Sequence, residues 1–434
     1  MKRNALQQLC DWKESSRRKP LIIRGARQVG KTWLMKEFGK HKFENAVYIN
    51  FDSNPEMAAL FEGSLDVPRL ISGLQIYAGE KIVPQKTLLI FDEVQEVPRA
   101  LTSLKYFCED APEYAVISAG SLLGVALHQG TSFPVGKVDF LDLYPMGFTE
   151  FLEAAGHENL SELLRSRDWS MITAFKTKYI ELLRYYYFIG GMPEAVQTFI
   201  RENDLKAVRK IQNNILSAYE QDFSKHAPAE TVSRIRMVWQ SIPAQLAKEN
   251  RRFVYGALRK GARARDFELA IQWLRDCGLI EQVIRVSKPA VPLPAYADEG
   301  FKMYVADVGL LGAMSGLDAG TLLQGNRLFS EFKGALTEQY VAEQLRSELG
   351  IKPFYWSAER ATAEVDFIFQ SGMELYPLEV KAEENLKAKS LKVYTEKYAP
   401  PLAIRTSMSD FRKEKNLINL PLYAISQLLT LCRK

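Results

Sequence analysis

The stretch GARQVGKT at residues 25–32 fits the spacing GxxxxGK[ST], and its flanks are those the spacing requires. The apolar run LII (21–23) precedes it as a strand, and KTWLMKEF (31–38) follows as a helix. Glycines at the ends let backbone N–H groups turn toward phosphate, and the helix N-terminus adds the positive end of its dipole. Gly25, Ala26, Arg27, Gln28, Val29, Gly30, Lys31, Thr32 and Trp33 are therefore expected to cradle a nucleotide, ATP. Lys31 would reach the β- and γ-phosphates, and Thr32 would ligate Mg²⁺. Chance alone produces this spacing in roughly one or two chains of this length in a hundred, so a second element is needed.

That element is LLIFDE (88–93), a buried strand ending in two carboxylates. Asp92 would hold Mg²⁺ through water, and Glu93 would act as general base on the attacking water. A further strand ends in AGSLLG (119–124), which puts Ser121 where it would sense the γ-phosphate. The runs LII, AVYINF (46–51), TLLIF (87–91), YAVISA (114–119) and VDFLDL (138–143) are continuous rather than alternating. Separated by helical stretches, they predict an α/β parallel sheet buried on both faces.

Length and composition set the frame. A chain of 434 residues predicts roughly three domains. Its 47% apolar and 25% charged residues are ordinary for a soluble globular protein. The net charge of +5 is mild, so any nucleic-acid footprint must be local. The four cysteines form no CxxC and there are only four histidines, which argues against zinc and for a reduced, cytoplasmic setting. The N-terminus MKRNALQQLCDW has no apolar core of a signal peptide. Residues 114–136 lack Asp, Glu, Lys and Arg, but Gly, Ser, His, Gln and Pro interrupt them, so no membrane span is expected.

Further along, residues 146–205 read as helical, broken by GGMP (190–193). Helical patterns at 231–249 and 263–277 precede two strands, LIEQVIRV (279–286) and FKMYVAD (301–307), joined by a Pro-rich stretch at 288–300. That order predicts a winged helix. RRFVYGALRKGARAR (251–265) carries Arg251, Arg252, Arg259, Lys260, Arg263 and Arg265 with no acid among them. Beside a recognition helix these would grip nucleic-acid phosphates, or else serve as a solvated or domain-docking surface. Phe267, Ile271, Leu274 and Leu279 are expected to be core. Residues 315–326 read as a linker, and the last hundred or so as mixed α/β. The expected parts are 1–205, 206–318 and 325–434.

In the last part, AEVDFIF (363–369) and YPLEVKA (376–382) alternate as half-buried strands joined through QSGMEL. If Gln370 faces Leu375, Asp366 lies opposite Glu379 and Glu364 opposite Lys381, the latter as a plain ion contact. Two carboxylates that close call for a cation, Mg²⁺ or Mn²⁺. A helix over 331–350 has an apolar stripe of Val341, Ala342, Leu345 and Leu349, and Glu338 projects into it. A carboxylate there needs a partner.

RGARQVGKT, LIFDEVQ (89–95), AGSLL (119–123), LYPMGFTEFL (143–152) and GGMPEAV (190–196) together resemble the AAA-type P-loop ATPases. More closely, they resemble a prokaryotic ATPase family whose members join such a core to a C-terminal domain of unknown function; KENRRFVYGALRKGARAR and FKMYVADVGLL extend the likeness. The resemblance implies ATP hydrolysis, with self-association or a protein partner. Many relatives carry an arginine where this chain has Lys137, and lysine is a poor substitute for an arginine finger. The pattern Glu338, Asp366, Glu379, Lys381 resembles the restriction-endonuclease-like nuclease fold. It implies that the acids bind a divalent metal and that Lys381 activates water or steadies phosphate charge. Two readings stand: an ATPase acting on nucleic acid with a metal-dependent nuclease domain, and a nucleotide-gated switch or scaffold whose last domain is silent.

Overall fold

A computed structural model describes residues 1–120, 133–248, 251–324, 330–358, 363–384 and 388–432. It contains two compact units: residues 2–144 with 276–278, and residues 145–275 and 279–434 together with Met1.

In the first unit five strands run parallel in the order β2-β3-β4-β1-β5. They are β1 (Leu21–Arg24), β2 (Asn45–Asn50), β3 (Thr87–Asp92), β4 (Ala115–Ala119) and β5 (Asp139–Asp142). The central strands β3 and β4 are buried along their whole length, as continuous apolar runs require. The outer strands differ from the expectation of two-sided burial. Along β5 only Leu141 is buried, and β2 buries only Val47 and Ile49, because an edge strand has no neighbour on one side. Phe140, exposed on β5, is covered by the Arg24 guanidinium at 4.3 Å. Helix α1 (Lys31–Lys42) follows β1 directly, and α2 (Pro98–Asp110) precedes β4. Since β4 separates β1 from β3, the C-terminal ends of all three open on one edge of the sheet.

In the second unit an eight-stranded mixed sheet has the order β12-β13-β11-β10-β9-β8-β6-β7. Its strands are β6 (Ile280–Val286), β7 (Ala297–Val305), β8 (Phe354–Ser357), β9 (Glu364–Ser371), β10 (Glu374–Val380), β11 (Ala403–Ser407), β12 (Arg412–Glu414) and β13 (Leu417–Pro421). The hairpin β6–β7, expected as the wing of a winged helix, is not free. The other edge of β6 pairs in parallel with β8, Ile284 facing Phe354 and Val286 facing Trp356. Val283 and Val286 are fully buried, so the strand behaves as sheet interior. The helices expected before it are α3 (Ala229–Leu246) and α4 (Ala264–Asp276), with Phe267, Ile271, Leu274 and Leu279 in the core. The stretch read as a linker carries a short helix, Ala319–Gln324; its residues 325 and 326 lie outside the described residues.

Helix α5 (Ser330–Ser347) is buried on every side over residues 335–345, not along one stripe. Each polar residue there has a backbone or side-chain partner, as buried polar groups must. Gln339 accepts from Val305 N (2.9 Å) and donates to Val305 O (2.6 Å). Gln344 accepts from Phe148 N at 2.7 Å. Glu343 accepts from the Tyr186 hydroxyl (2.6 Å) and from Val308 N (3.0 Å). Asp307 caps the next turn, accepting from Leu310 N at 2.9 Å and Gly191 N at 2.5 Å. The motif residues at 146–149 and 190–191 thus serve as anchors around α5.

Burial pushes the Asp307 carboxyl up to about 6 against its backbone hydrogen bonds, and burial with Asp307 nearby pushes Glu343 well up. Folded values above the unfolded ones mean that the folded state holds more protons above about pH 4, so stability falls as pH rises through that window. The unfolding midpoint of the second unit should drop between about pH 5 and pH 8. Glu343→Gln, which keeps an acceptor but cannot ionise, should flatten that drop in calorimetric scans.

Candidate functional site

The phosphate loop leaves β1 with two glycines in conformations closed to other residues. Gly25 has φ 148°, and a Cβ there would lie 2.1 Å from Leu143 O. Gly30 caps α1 at φ 94°. Gln28 also sits at positive φ, 66°, a conformation that costs a non-glycine residue of order 1 kcal/mol. Val29 is a fully buried wedge, and its carbonyl accepts from Arg3 Nη1 at 2.9 Å. Arg3 also donates to Tyr144 O at 2.6 Å, so an arginine from the start of the chain braces the loop. Nothing in the spacing around residue 3 announces this.

Lys31 is buried and donates to the carbonyls of Gly25 (2.9 Å) and Ala26 (2.8 Å). Burial pushes its ammonium down to about 8, against the opposing pull of Glu93 and Asp92. Thr32 Oγ1 donates to Asp92 Oδ2 at 2.6 Å. The Tyr48 hydroxyl donates to the same oxygen at 2.9 Å, and Glu93 N to Asp92 Oδ1 at 3.1 Å. Burial, then the Asp92 charge, pushes the Tyr48 phenol up, so it stays a donor. Tyr48 was visible in the sequence only as a strand residue. Glu93 takes the left-handed conformation, φ 50°, and accepts from Gln95 Nε2 at 2.7 Å. Hard oxygen donors of Thr32 and Asp92 beside a phosphate-shaped loop fit Mg²⁺. Trp33 is exposed on the first turn of α1. Ser121 lies outside the described residues. Lys137 forms a surface ion pair with Glu109 at 2.8 Å.

Strand order, loop geometry and the Lys31–Thr32–Asp92 arrangement define the first unit as a P-loop ATPase domain of the AAA type, and residues 17–152 match a family model described as an AAA domain. Residues 180–321 and 333–425 match models that are each described as a domain of unknown function, DUF8612 and DUF4143. No curated protein matches the chain. Among solved structures, a Walker-type ATPase of Pyrococcus abyssi aligns at 14% identity over 71% of this chain and 94% of that one, with a TM-score of 0.44. The Aeropyrum pernix ORC1 protein in complex with DNA aligns at 13% identity over 73% and 93%, with a TM-score of 0.25. The Thermotoga maritima RuvB Holliday junction branch migration motor aligns at 13% over 66% and 89%, with a TM-score of 0.27. Likenesses at this level add nothing to the geometry.

The second unit gathers the C-terminal residues. The β9–β10 register pairs Gln370 with Leu375 and Phe367 with Leu378, the register expected. Ser371 and Glu374 also pair, so the connection tightens to Gly372–Met373. Glu379 is buried, with its carboxyl pushed up by burial and by Asp366. Lys381 pairs with Glu379 at 2.7 Å rather than across to Glu364. Glu364 instead meets Lys302 at 2.7 Å. Glu338, fully buried like its neighbours on α5, accepts from Lys302 Nζ at 2.9 Å and from the Tyr304 hydroxyl, and pairs with Arg251. Sequence reading missed Lys302 and Tyr304, which come from the strand taken for a wing. Among the described residues no group of three or more His, Cys, Asp and Glu side chains is disposed to hold a metal ion. Of the carboxylates expected to take Mg²⁺ or Mn²⁺, Glu338 and Asp366 lie beside the Lys302 amine, and Glu379 pairs with Lys381.

Of the basic residues, Arg251 points inward to Glu338, whereas Arg252, Arg259, Lys260, Arg263 and Arg265 are exposed. The start of the segment pairs with the edge of β7, Arg252 bridging to Lys302 and Phe253 N donating to Phe301 O at 2.9 Å, and a short 3₁₀ turn at Tyr255–Ala257 precedes α4. Among the described residues no helix is long and apolar enough to cross a membrane.

Phosphate beside Lys31 restores the charge partner that burial denies it, so nucleotide binding should take up a proton above about pH 8. Calorimetry in buffers of different ionisation enthalpy should detect that uptake above pH 8 and little of it near neutrality. ATP affinity should fall as pH rises through this value.

Proposed function

We propose that the chain hydrolyses ATP with Mg²⁺ at the phosphate loop and uses the nucleotide state to act on nucleic acid held along residues 252–265. The observation that carries the first half is the 2.6 Å meeting of Thr32 Oγ1 and Asp92 Oδ2 next to Lys31. When bound, Mg-ATP supplies the γ-phosphoryl group and the cation that draws its oxygens. The backbone N–H groups of residues 25–30 orient the phosphates. Lys31 exchanges its two carbonyl partners for phosphate oxygens. Thr32 and Asp92 hold the metal, and Glu93, oriented by Gln95, accepts the proton of the attacking water at its carboxylate. Ser121 is assigned the sensing of the γ-phosphate. With Lys137 paired to Glu109, an arginine finger would come from a second copy or a protein partner.

Support for nucleic acid is the exposed run Arg252, Arg259, Lys260, Arg263 and Arg265 leading into the N-terminus of α4. A second reading, a nucleotide-gated switch addressing a protein partner, draws support from the inward turn of Arg251.

Lys31→Ala should abolish ATP binding and turnover; an unchanged affinity in a binding titration rules out this site. DNA or RNA should stimulate turnover, and joint neutralisation of Arg259, Lys260 and Arg263 should remove the stimulation. The same variant should lower the salt slope of nucleic-acid binding by about 0.9 per lost phosphate contact. Absence of stimulation by either nucleic acid decides for the switch.

A further inference from the structure

Lys302 is the feature that the proposed function leaves unused. Its side chain is fully buried, yet it is charged at the end and sits on β7, the edge strand. Its Nζ lies 2.9 Å from Glu338 Oε1, 2.7 Å from Glu364 Oε1 and 3.8 Å from Asp366 Oδ1. These oxygens come from α5 and β9, although β6 and β8 intervene between β7 and β9 in the sheet order. The sheet must curl for one lysine to reach them.

We infer that the Lys302 ammonium is the resident cation of this carboxylate cluster, standing where a divalent metal would be needed for phosphodiester cleavage. The cluster is then a joint that fastens β7 to α5 and β9, and it is silent as a nuclease. A divalent ion of the Mg²⁺ type needs about six oxygens around it. Whereas the partners of Asp92 are neutral donors that a metal can replace, most oxygens here face the nitrogens of basic side chains. Glu338 Oε1 takes Lys302 and the Tyr304 hydroxyl, and its Oε2 takes Arg251. Asp366 Oδ2 accepts from Val380 N at 2.7 Å, and its Oδ1 faces Lys302. Glu379 Oε1 takes Lys381. Glu379 Oε2 is buried with no hydrogen-bond partner among the described residues, but one oxygen does not make a coordination shell. A metal entering the cluster would also meet like charge from Lys302, Arg251 and Lys381. A buried ammonium, for its part, requires carboxylates around it.

The test uses the full chain without nucleotide, with Mn²⁺ as the probe. Electron paramagnetic resonance titration should find no Mn²⁺ site in the wild type that Asp366→Asn removes. Metal-dependent cleavage of DNA or RNA that Asp366→Asn abolishes should likewise be missing. Stoichiometric Mn²⁺ binding lost in Asp366→Asn, or such cleavage, overturns the inference. Lys302→Met should uncover the acids: its unfolding midpoint should rise by about 5 °C at Mn²⁺ a hundredfold above its Kd, against no rise in the wild type. The double variant Lys302→Met/Asp366→Asn should lose that rise. Equal responses of Lys302→Met and the wild type, including none in either, count against the assignment. If Lys302→Met does not fold, the comparison of wild type with Asp366→Asn decides alone.

Discussion

A helix buried on every side must find partners for each polar atom it carries, and α5 carries many. Leaving one buried donor or acceptor unpaired costs about 1–3 kcal/mol. Gln339, Gln344 and Glu343 therefore dictate where other segments can lie: the end of β7, the 146–149 turn and the start of the helix at Val308 are each held by a side chain of α5. Hydrophobic burial alone would tolerate small slippages of these segments. Directional hydrogen bonds in a low-dielectric interior do not. The second unit owes its single arrangement to this set of bonds more than to any apolar cluster.

The same constraint explains Glu338. It sits three residues before Val341, in the stretch of α5 that has no face toward water, so its charge must be met internally. Lys302, Tyr304 and Arg251 meet it from segments that precede it in the chain. Removing one member of such a group leaves an uncompensated charge, at about 3–5 kcal/mol. The phosphate loop is built on different terms. Its polar groups face the open edge of the first sheet, and only Lys31 is drawn inside, onto loop carbonyls.

Local patterns were readable in the sequence where the chemistry is local. GARQVGKT has its loop, strand and helix within eighteen residues, so spacing alone located it. The β9–β10 register followed from a short hairpin, which brought Asp366 and Glu379 together on paper. Glu338 is buried as the stripe suggested, but so is every residue from 335 to 345, which no helical period foretells. What spacing cannot carry is a partner from far away: Arg3 under Val29, or Lys302 among the acids. In FKMYVAD one lysine within an apolar strand reads as an outward residue on an edge. The β6–β7 hairpin differs from a free wing for a related reason. A hairpin after two helices looks complete, and only a third strand, β8, which begins at Phe354, shows that its free edge is taken. Edge strands β2 and β5 were read as buried because apolar runs do not reveal which strand ends a sheet.

The matched spans 180–321 and 333–425 divide the chain between β7 and β8, yet β6 and β8 are hydrogen-bonded neighbours in one sheet. The division thus runs through a sheet and not between modules. A gene segment encoding only the later span would leave behind two strands and the lysine that its acids hold. Cut at that division, each half would keep only part of the sheet, and Lys302 would be parted from Glu338, Glu364 and Asp366.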